Sequence, residues 1–215
     1  MVVFPLAATV VAAVFSVAAW RAAGERGAAL RVWCFALAQF AVGAGALAWG
    51  VAFGWTPGVY RVFYLFGAVL NVGWLGLGTL WLVWHRPAAA AATVALAAVS
   101  VWAAVVVATS QMEPGAAAVL AAERLPAARD IMPVLARNLS RWFSIAGSVV
   151  VLAGMFISMA TRRNVLGLGL LALGVVVAGI SSELARVGYV EVFSVGLAAG
   201  IGLMYAGFVR TRTDR

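Results

Sequence analysis

Seven uninterrupted apolar runs recur along this chain of 215 residues, and each is about as long as a helix that crosses a membrane. A helix rises about 1.5 Å per residue, so a hydrocarbon layer of roughly 30 Å needs about 20 apolar residues in succession. The runs cover residues 2–20, 29–53, 59–84, 88–109, 139–160, 164–184 and 189–209. They predict an all-α polytopic membrane protein, a bundle of seven transmembrane helices that forms a single domain over residues 1–215.

The pattern inside the runs favours helices over strands. Apolar residues are continuous there, whereas a transmembrane strand alternates apolar and polar residues, and an open sheet edge cannot face lipid. Hydrophobic residues make up 65% of the chain and charged residues 10%, too few to cover a water-soluble globule. We therefore expect a multi-pass protein of the inner (plasma) membrane.

Most arginines lie in alternate loops or at their flanks. The first, third and fifth loops, their flanks and the C-terminal tail contain Arg21, Arg26, Arg31, Arg86, Arg162, Arg163, Arg210, Arg212 and Arg215. Because cytoplasmic loops are enriched in basic residues, this placement predicts an N-terminus outside and a C-terminus in the cytoplasm. It also argues against nucleic acid as a partner, despite a net charge of +8. The first run has no basic segment before it, so we expect a retained helix rather than a cleaved signal peptide.

Several chemistries are excluded by composition. The chain has no lysine, so no Schiff base can hold retinal or another carbonyl compound. The lone Cys34 leaves no disulfide and no CxxC redox pair. The lone His85 cannot supply two axial haem ligands or the histidines of a zinc hydrolase. We therefore expect neither a cofactor nor a metal.

Two amide side chains fall near the middle of neighbouring runs. Counting at about 1.5 Å per residue, Gln39 lies about 15 Å from one edge of its run and Asn71 about 20 Å from the opposite edge of the next. A buried amide in hydrocarbon needs a partner, so both should face the bundle interior. The two amides either hydrogen-bond to each other or contact a ligand.

The fifth run carries small polar residues on one helical face. Ser140, Ser144 and Ser148 are spaced at i, i+4 and i+8. Such a stripe marks either close helix packing or the lining of a polar cavity. The candidate ligand-binding residues are Gln39, Asn71, Trp74, Ser144, Ser148 and Ser181.

Charged residues of the spanning helices fall near one boundary, which we predict to be the outer one. This outer charge layer consists of Arg61, Arg141, Glu183, Arg186 and Glu191. Three arginines against two glutamates leave one cation, which would suit an anionic ligand or a lipid headgroup. The alternative is a ring of interfacial salt bridges or simple snorkelling.

The extracellular interfacial segment 110–137, between the fourth and fifth runs, contains Pro114, Pro126 and Pro133. Apolar residues recur between these prolines at near-helical spacing, which predicts two short amphipathic pieces on the outer surface. They either cap an outward-facing cavity or only connect two helices.

A repeat of three plus one plus three helices is compatible with the runs, because the first and fifth runs cross in the same direction, as do the third and seventh. The third run begins YRVF and the seventh begins YVEVF, with a charged residue early in each. Parallel repeats of this kind occur in transporters that bind substrate between the halves.

The third-run string RVFYLFGAVLNVGWLGLGTLWLV resembles a stretch found in uncharacterised heptahelical membrane proteins of GC-rich bacteria. In helix number and orientation the chain is also similar to microbial rhodopsins, but it lacks the retinal lysine and a third-helix carboxylate. That likeness would concern the scaffold alone.

Our first functional hypothesis is a non-enzymatic bundle that binds or moves a small amphiphile or lipid through an intrahelical pocket. The alternative is a structural or accessory subunit whose glycine faces contact a partner membrane subunit or a second copy of the chain. A lipid-modifying enzyme using the Ser181–Glu183 cluster, or an opsin-like sensor without retinal, ranks behind both.

Overall fold

A computed structural model describes residues 2–161, 165–186 and 190–213, without the side chains of residues 25, 26, 161, 185, 186, 190, 191, 212 and 213. Seven helices in these ranges are long and apolar enough to cross a membrane. They are α1 (Val3–Arg26), α2 (Ala28–Phe53), α3 (Pro57–Val83), α4 (Arg86–Thr109), α7 (Val134–Thr161), α8 (Val165–Arg186) and α9 (Val190–Thr213). Two short helices, α5 (Ala116–Ala122) and α6 (Ala128–Ile131), lie between α4 and α7. The predicted all-α fold with seven spanning helices is therefore confirmed.

Glycine and proline set the first two helix boundaries. Gly27 has φ 64° and Gly54 has φ 93°, conformations that L side chains rarely adopt, and α1 and α2 end at these residues. Pro57 is the first residue of α3, and the Thr56 hydroxyl caps that helix by accepting the Val59 N–H. The turn from α2 to α3 is consequently only three residues long.

Helix α3 is not regular throughout. Residues Tyr64–Leu70 form a π-helical stretch, in which hydrogen bonds join residue i to i+5 rather than i+4. The apolar run gave no sign of this change, because hydrophobic length predicts a helix without specifying its turn.

Six spanning helices pack in a closed order: α1 on α2, α2 on α3, α3 on α7, α7 on α8, α8 on α9, and α9 on α1. Helix α4 packs outside this ring, mainly against α3. Only 11% of the most apolar part of α4 is buried. Hydrogen bonds nevertheless connect α4 to α3 along its length. Trp74 Nε1 donates to Ser100 Oγ (3.1 Å) and Trp81 Nε1 donates to Thr93 Oγ1 (3.0 Å).

Glycines allow the ring helices to approach closely. A Cβ added at Gly43 would lie 2.7 Å from the Gly67 nitrogen, and one added at Gly76 would lie 3.0 Å from the Gly147 Cα. On the other side of the ring, a Cβ at Gly200 would lie 2.8 Å from the Gly174 carbonyl oxygen. These contacts close α2 on α3, α3 on α7, and α8 on α9, which is the use that membrane helices commonly make of small residues.

Residues 110–133, which we call the linker, fold back onto the end of the bundle that carries the α2–α3 turn. The predicted two short pieces are present as α5 and α6. Ile131 and Met132 are 0% and 1% exposed, so the linker contributes to the core instead of lying only on a surface. The fifth spanning helix begins at Val134, five residues before the predicted start at 139, because the helix continues through the charged residues that precede its apolar run.

Candidate functional site

Gln39 and Asn71 lie at the same level of the α2–α3 contact. The two helices are antiparallel and touch at Gly43 and Gly67. Gln39 is four residues before Gly43 and Asn71 is four residues after Gly67, so each is one turn from that contact and on the same side of it. Both side chains are 4% exposed. The expectation of similar depth on neighbouring helices agrees with this register.

Of the two alternatives for these amides, the hydrogen bond between them does not form. An amide–amide bond needs one side-chain oxygen as acceptor, and neither Gln39 Oε1 nor Asn71 Oδ1 has a partner within the described chain. Similar depth does not determine the direction in which a side chain points. The π stretch directly before Asn71 also changes the rotation that a regular α-helix would give.

A third unpartnered atom lies further along the same contact. Trp33 is 5% exposed, and its indole Nε1 donates to no described atom. It packs against Gly78, where a Cβ would approach the indole nitrogen to 2.6 Å. We call Trp33, Gln39 and Asn71 the amide seam. Its unpartnered buried atoms are two acceptors and one donor. Sequence reasoning missed Trp33 because a tryptophan in an apolar run is ordinarily a packing residue.

Serines of the α7 stripe donate hydrogen bonds to the π stretch of α3. Ser140 Oγ donates to the Ala68 carbonyl oxygen at 2.9 Å, and Ser144 Oγ donates to the same oxygen at 3.4 Å. Ala68 lies inside the π stretch, where carbonyls lose regular α-helical partners. Ser148 is half-buried and makes no hydrogen bond to the described residues. The stripe thus holds two helices together at the level of the seam.

The other candidate residues lie in separate contacts. Trp74 is bonded to Ser100 and contacts the Phe35 ring edge-on at 4.7 Å between centroids. Ser181 Oγ donates to the Val177 carbonyl at 2.7 Å in its own helix and packs against Gly196 of α9. The structure therefore places Gln39 and Asn71 at one level of the α2–α3 contact and leaves Ser181 in the α8–α9 contact. The ligand-binding roles assigned to these residues remain predictions.

Arg61 is the residue of the predicted outer charge layer whose side-chain hydrogen bond is defined. Arg61 Nη2 donates to the Ser110 carbonyl at 2.8 Å, while its buried Nε has no partner among the described atoms. Arg141 and Glu183 are exposed. Arg186 and Glu191 lie outside the described side chains, so neither a salt-bridge ring nor a surplus cation is tested. An ion pair in the linker joins Arg129 to Asp130 at 3.3 Å.

An aromatic cluster anchors the linker. Trp55 Nε1 donates to the Arg124 carbonyl (2.9 Å), and the Tyr60 hydroxyl donates to the Pro126 carbonyl (3.2 Å). The Tyr64 hydroxyl donates to the Ala136 carbonyl (3.3 Å), and its ring stacks on Tyr60 with centroids 6.2 Å apart. Tyrosines at i and i+4 at a helix start were the available signal, but sequence analysis used that stretch only for the repeat.

No group of three or more potential metal ligands occurs among the residues that were described. A search of family models, curated proteins and solved structures finds no match to the chain. The resemblance of the third run to bacterial heptahelical proteins is thus unconfirmed. What is supported is that the chain has seven helices long and apolar enough to cross a membrane.

Proposed function

We propose that this protein binds or moves a small amphiphile or lipid through a pocket among its helices, without catalysis. The observation that carries the proposal is the pair of buried, unpartnered oxygens of Gln39 and Asn71 at one level of the bundle. An unpaired buried polar group costs roughly 1–3 kcal/mol in proteins, so a chain that retains two of them gains if a ligand pairs with them.

The proposal includes a site in the inner membrane with the linker on the outer face, which the arginine distribution supports. It also includes two three-helix halves, α1–α3 and α7–α9, separated by α4. The first helix of each half packs on the third helix of the other, which is the order of neighbours that a two-fold repeat would give. Transporters with parallel repeats bind substrate between such halves.

Neither alternative gains support from an observation. Gly43, Gly147 and Gly200 make their close contacts within the chain, so these three are already used in packing the bundle. The hydroxyls of Ser181 and Ser182 donate to carbonyls of their own helix, to Val177 and Ala178. Serines in helices commonly donate to the carbonyl four residues earlier, and such a hydrogen bond does not activate the hydroxyl as a nucleophile.

The test is native mass spectrometry of protein extracted in mild detergent. Wild-type protein should retain a small molecule at about one per chain, and the Gln39→Met/Asn71→Leu variant should lose it. Thr79→Val is the matched control, because the Thr79 hydroxyl is buried on the same helix but already donates to Leu75 at 3.0 Å. Retention of no molecule, or equal retention in all three proteins, would contradict the proposal.

A further inference from the structure

We propose that the amide seam takes the uncharged hydroxyl headgroup of a lipid alcohol. This inference rests on the proposed function and specifies its ligand. It follows from the hydrogen-bonding valence of the free amide oxygens and from the lack of buried charge beside them.

The free atoms define what a ligand must offer. Gln39 Oε1 and Asn71 Oδ1 are acceptors, so the ligand must donate a hydrogen bond to satisfy either of them. Trp33 Nε1, a donor, lies six residues from Gln39, about 9 Å further along α2, and is not within reach of the same group. A hydroxyl group can donate to an amide oxygen, whereas an ether or an ester only accepts. The seam therefore favours an alcohol over an ether or ester of the same chain length.

The surroundings disfavour a charged headgroup. Residues 32–60 around Gln39 and residues 62–84 around Asn71 contain no Arg, Lys, His, Asp or Glu. On α7, the charged residue nearest to this level is Arg141, which follows Ser140 and is exposed rather than buried. A carboxylate, phosphate or ammonium placed at the seam would lose its hydration without a counter-ion, which is costly in a medium of low polarity.

The alkyl chain of a lipid alcohol can leave the α2–α3 contact towards the bilayer. Phe35 is 49% exposed at the outside of the same contact, so the seam lies close to the lipid-facing surface of the bundle. A long alkyl chain can therefore continue from the seam into the bilayer.

The experiment compares three probes with the same alkyl chain: 1-hexadecanol, 1-methoxyhexadecane and hexadecanoate. Each is added to the full-length protein in phosphatidylcholine nanodiscs, and occupancy is read by native mass spectrometry. Wild-type protein should bind the alcohol about tenfold better than the ether, the ratio that one additional buried hydrogen bond gives. Hexadecanoate should bind no better than the ether.

The variants locate the binding. Gln39→Met/Asn71→Leu should reduce the alcohol-to-ether ratio to about one, while Thr79→Val should leave it unchanged. The wild-type comparison of probes stands alone if the double variant does not fold. Tighter binding of hexadecanoate than of the alcohol would overturn the headgroup assignment and leave the proposed function intact. Equal binding of all three probes in wild type and variant would mean that the probes do not bind at the seam. That result would overturn the headgroup assignment. Failure of every probe, together with no co-purified molecule, would remove the proposed function as well.

Discussion

Gln39 and Asn71 lie at one level of the bundle because helical rise sets depth, and that much was predictable from counting residues. Their lack of mutual bonding was not predictable, since it depends on side-chain direction after the π stretch of α3. Trp33 shows the same limit, because its indole could be bonded or free in any apolar helix. Sequence therefore located two of the three seam residues but not the relation between them.

Replacing Asn71 by leucine should stabilise the ligand-free protein. Leucine has the same number of side-chain heavy atoms, and the change removes an unpartnered buried amide, so we expect a gain of about 1 kcal/mol in the free energy of unfolding. Equilibrium unfolding of delipidated protein in mixed micelles measures it. Thr79→Val is the control, and because it removes a buried hydroxyl that donates to Leu75, we expect a loss of up to about 1 kcal/mol there instead of a gain. A loss of stability of similar size would show that Asn71 is hydrogen-bonded within the folded protein.

At the scale of the element, α3 is connected to its neighbours by polar contacts that its hydrophobic pattern did not reveal. The serine stripe of α7 was recognised from its spacing, and both of the interpretations considered for it were reasonable. The structure uses Ser140 and Ser144 to satisfy one carbonyl of the π stretch. A π stretch has no apolar signature of its own, so this pairing could not be derived from sequence.

Ser140→Ala should destabilise the protein by about 1 kcal/mol, because the Ala68 carbonyl loses its shorter hydrogen bond. Ser148→Ala is the matched control on the same stripe, and we expect no change there because Ser148 has no described hydrogen-bond partner. Unfolding monitored by tryptophan fluorescence distinguishes the two. Equal effects of both variants would argue that the stripe acts by packing alone.

Gly147→Ala should cost about 1–3 kcal/mol, since the new methyl group would collide with the backbone at Val72. Gly169→Ala provides the comparison, because a Cβ there meets no described heavy atom within 4 Å. Thermal unfolding in detergent should show a clear decrease for the first variant and little change for the second. An unchanged midpoint for Gly147→Ala would mean that α3 and α7 can separate without cost.

At the scale of the whole molecule, the number of spans and the presence of two short linker helices followed from hydrophobic length and periodicity. The closed order of the helices could not be predicted from these features, because it depends on which glycine and serine faces meet. The linker is part of the bundle through carbonyl contacts with Trp55 and Tyr60, which sequence analysis had not connected to it.

Tyr60→Phe should loosen the linker by removing the bond to the Pro126 carbonyl. Trypsin cleaves after arginine, and Arg124 and Arg129 are both exposed in the linker. We expect cleavage there to be several times faster, since a lost hydrogen bond of about 1 kcal/mol raises the open population by that factor. Tyr205→Phe, which removes a hydroxyl without a described hydrogen bond, should leave the rate unchanged. Equal digestion of both variants would contradict the anchoring role of Tyr60.

We infer that a bound amphiphile donates hydrogen bonds to the unpartnered amide oxygens of α2 and α3. An experimental structure in lipid nanodiscs at a resolution that shows individual lipids tests it most directly. We expect elongated density between α2 and α3, with a polar end about 2.7–3.2 Å from Gln39 Oε1 or Asn71 Oδ1. A packed contact without such density, in which both amides are hydrogen-bonded only to protein, would contradict it.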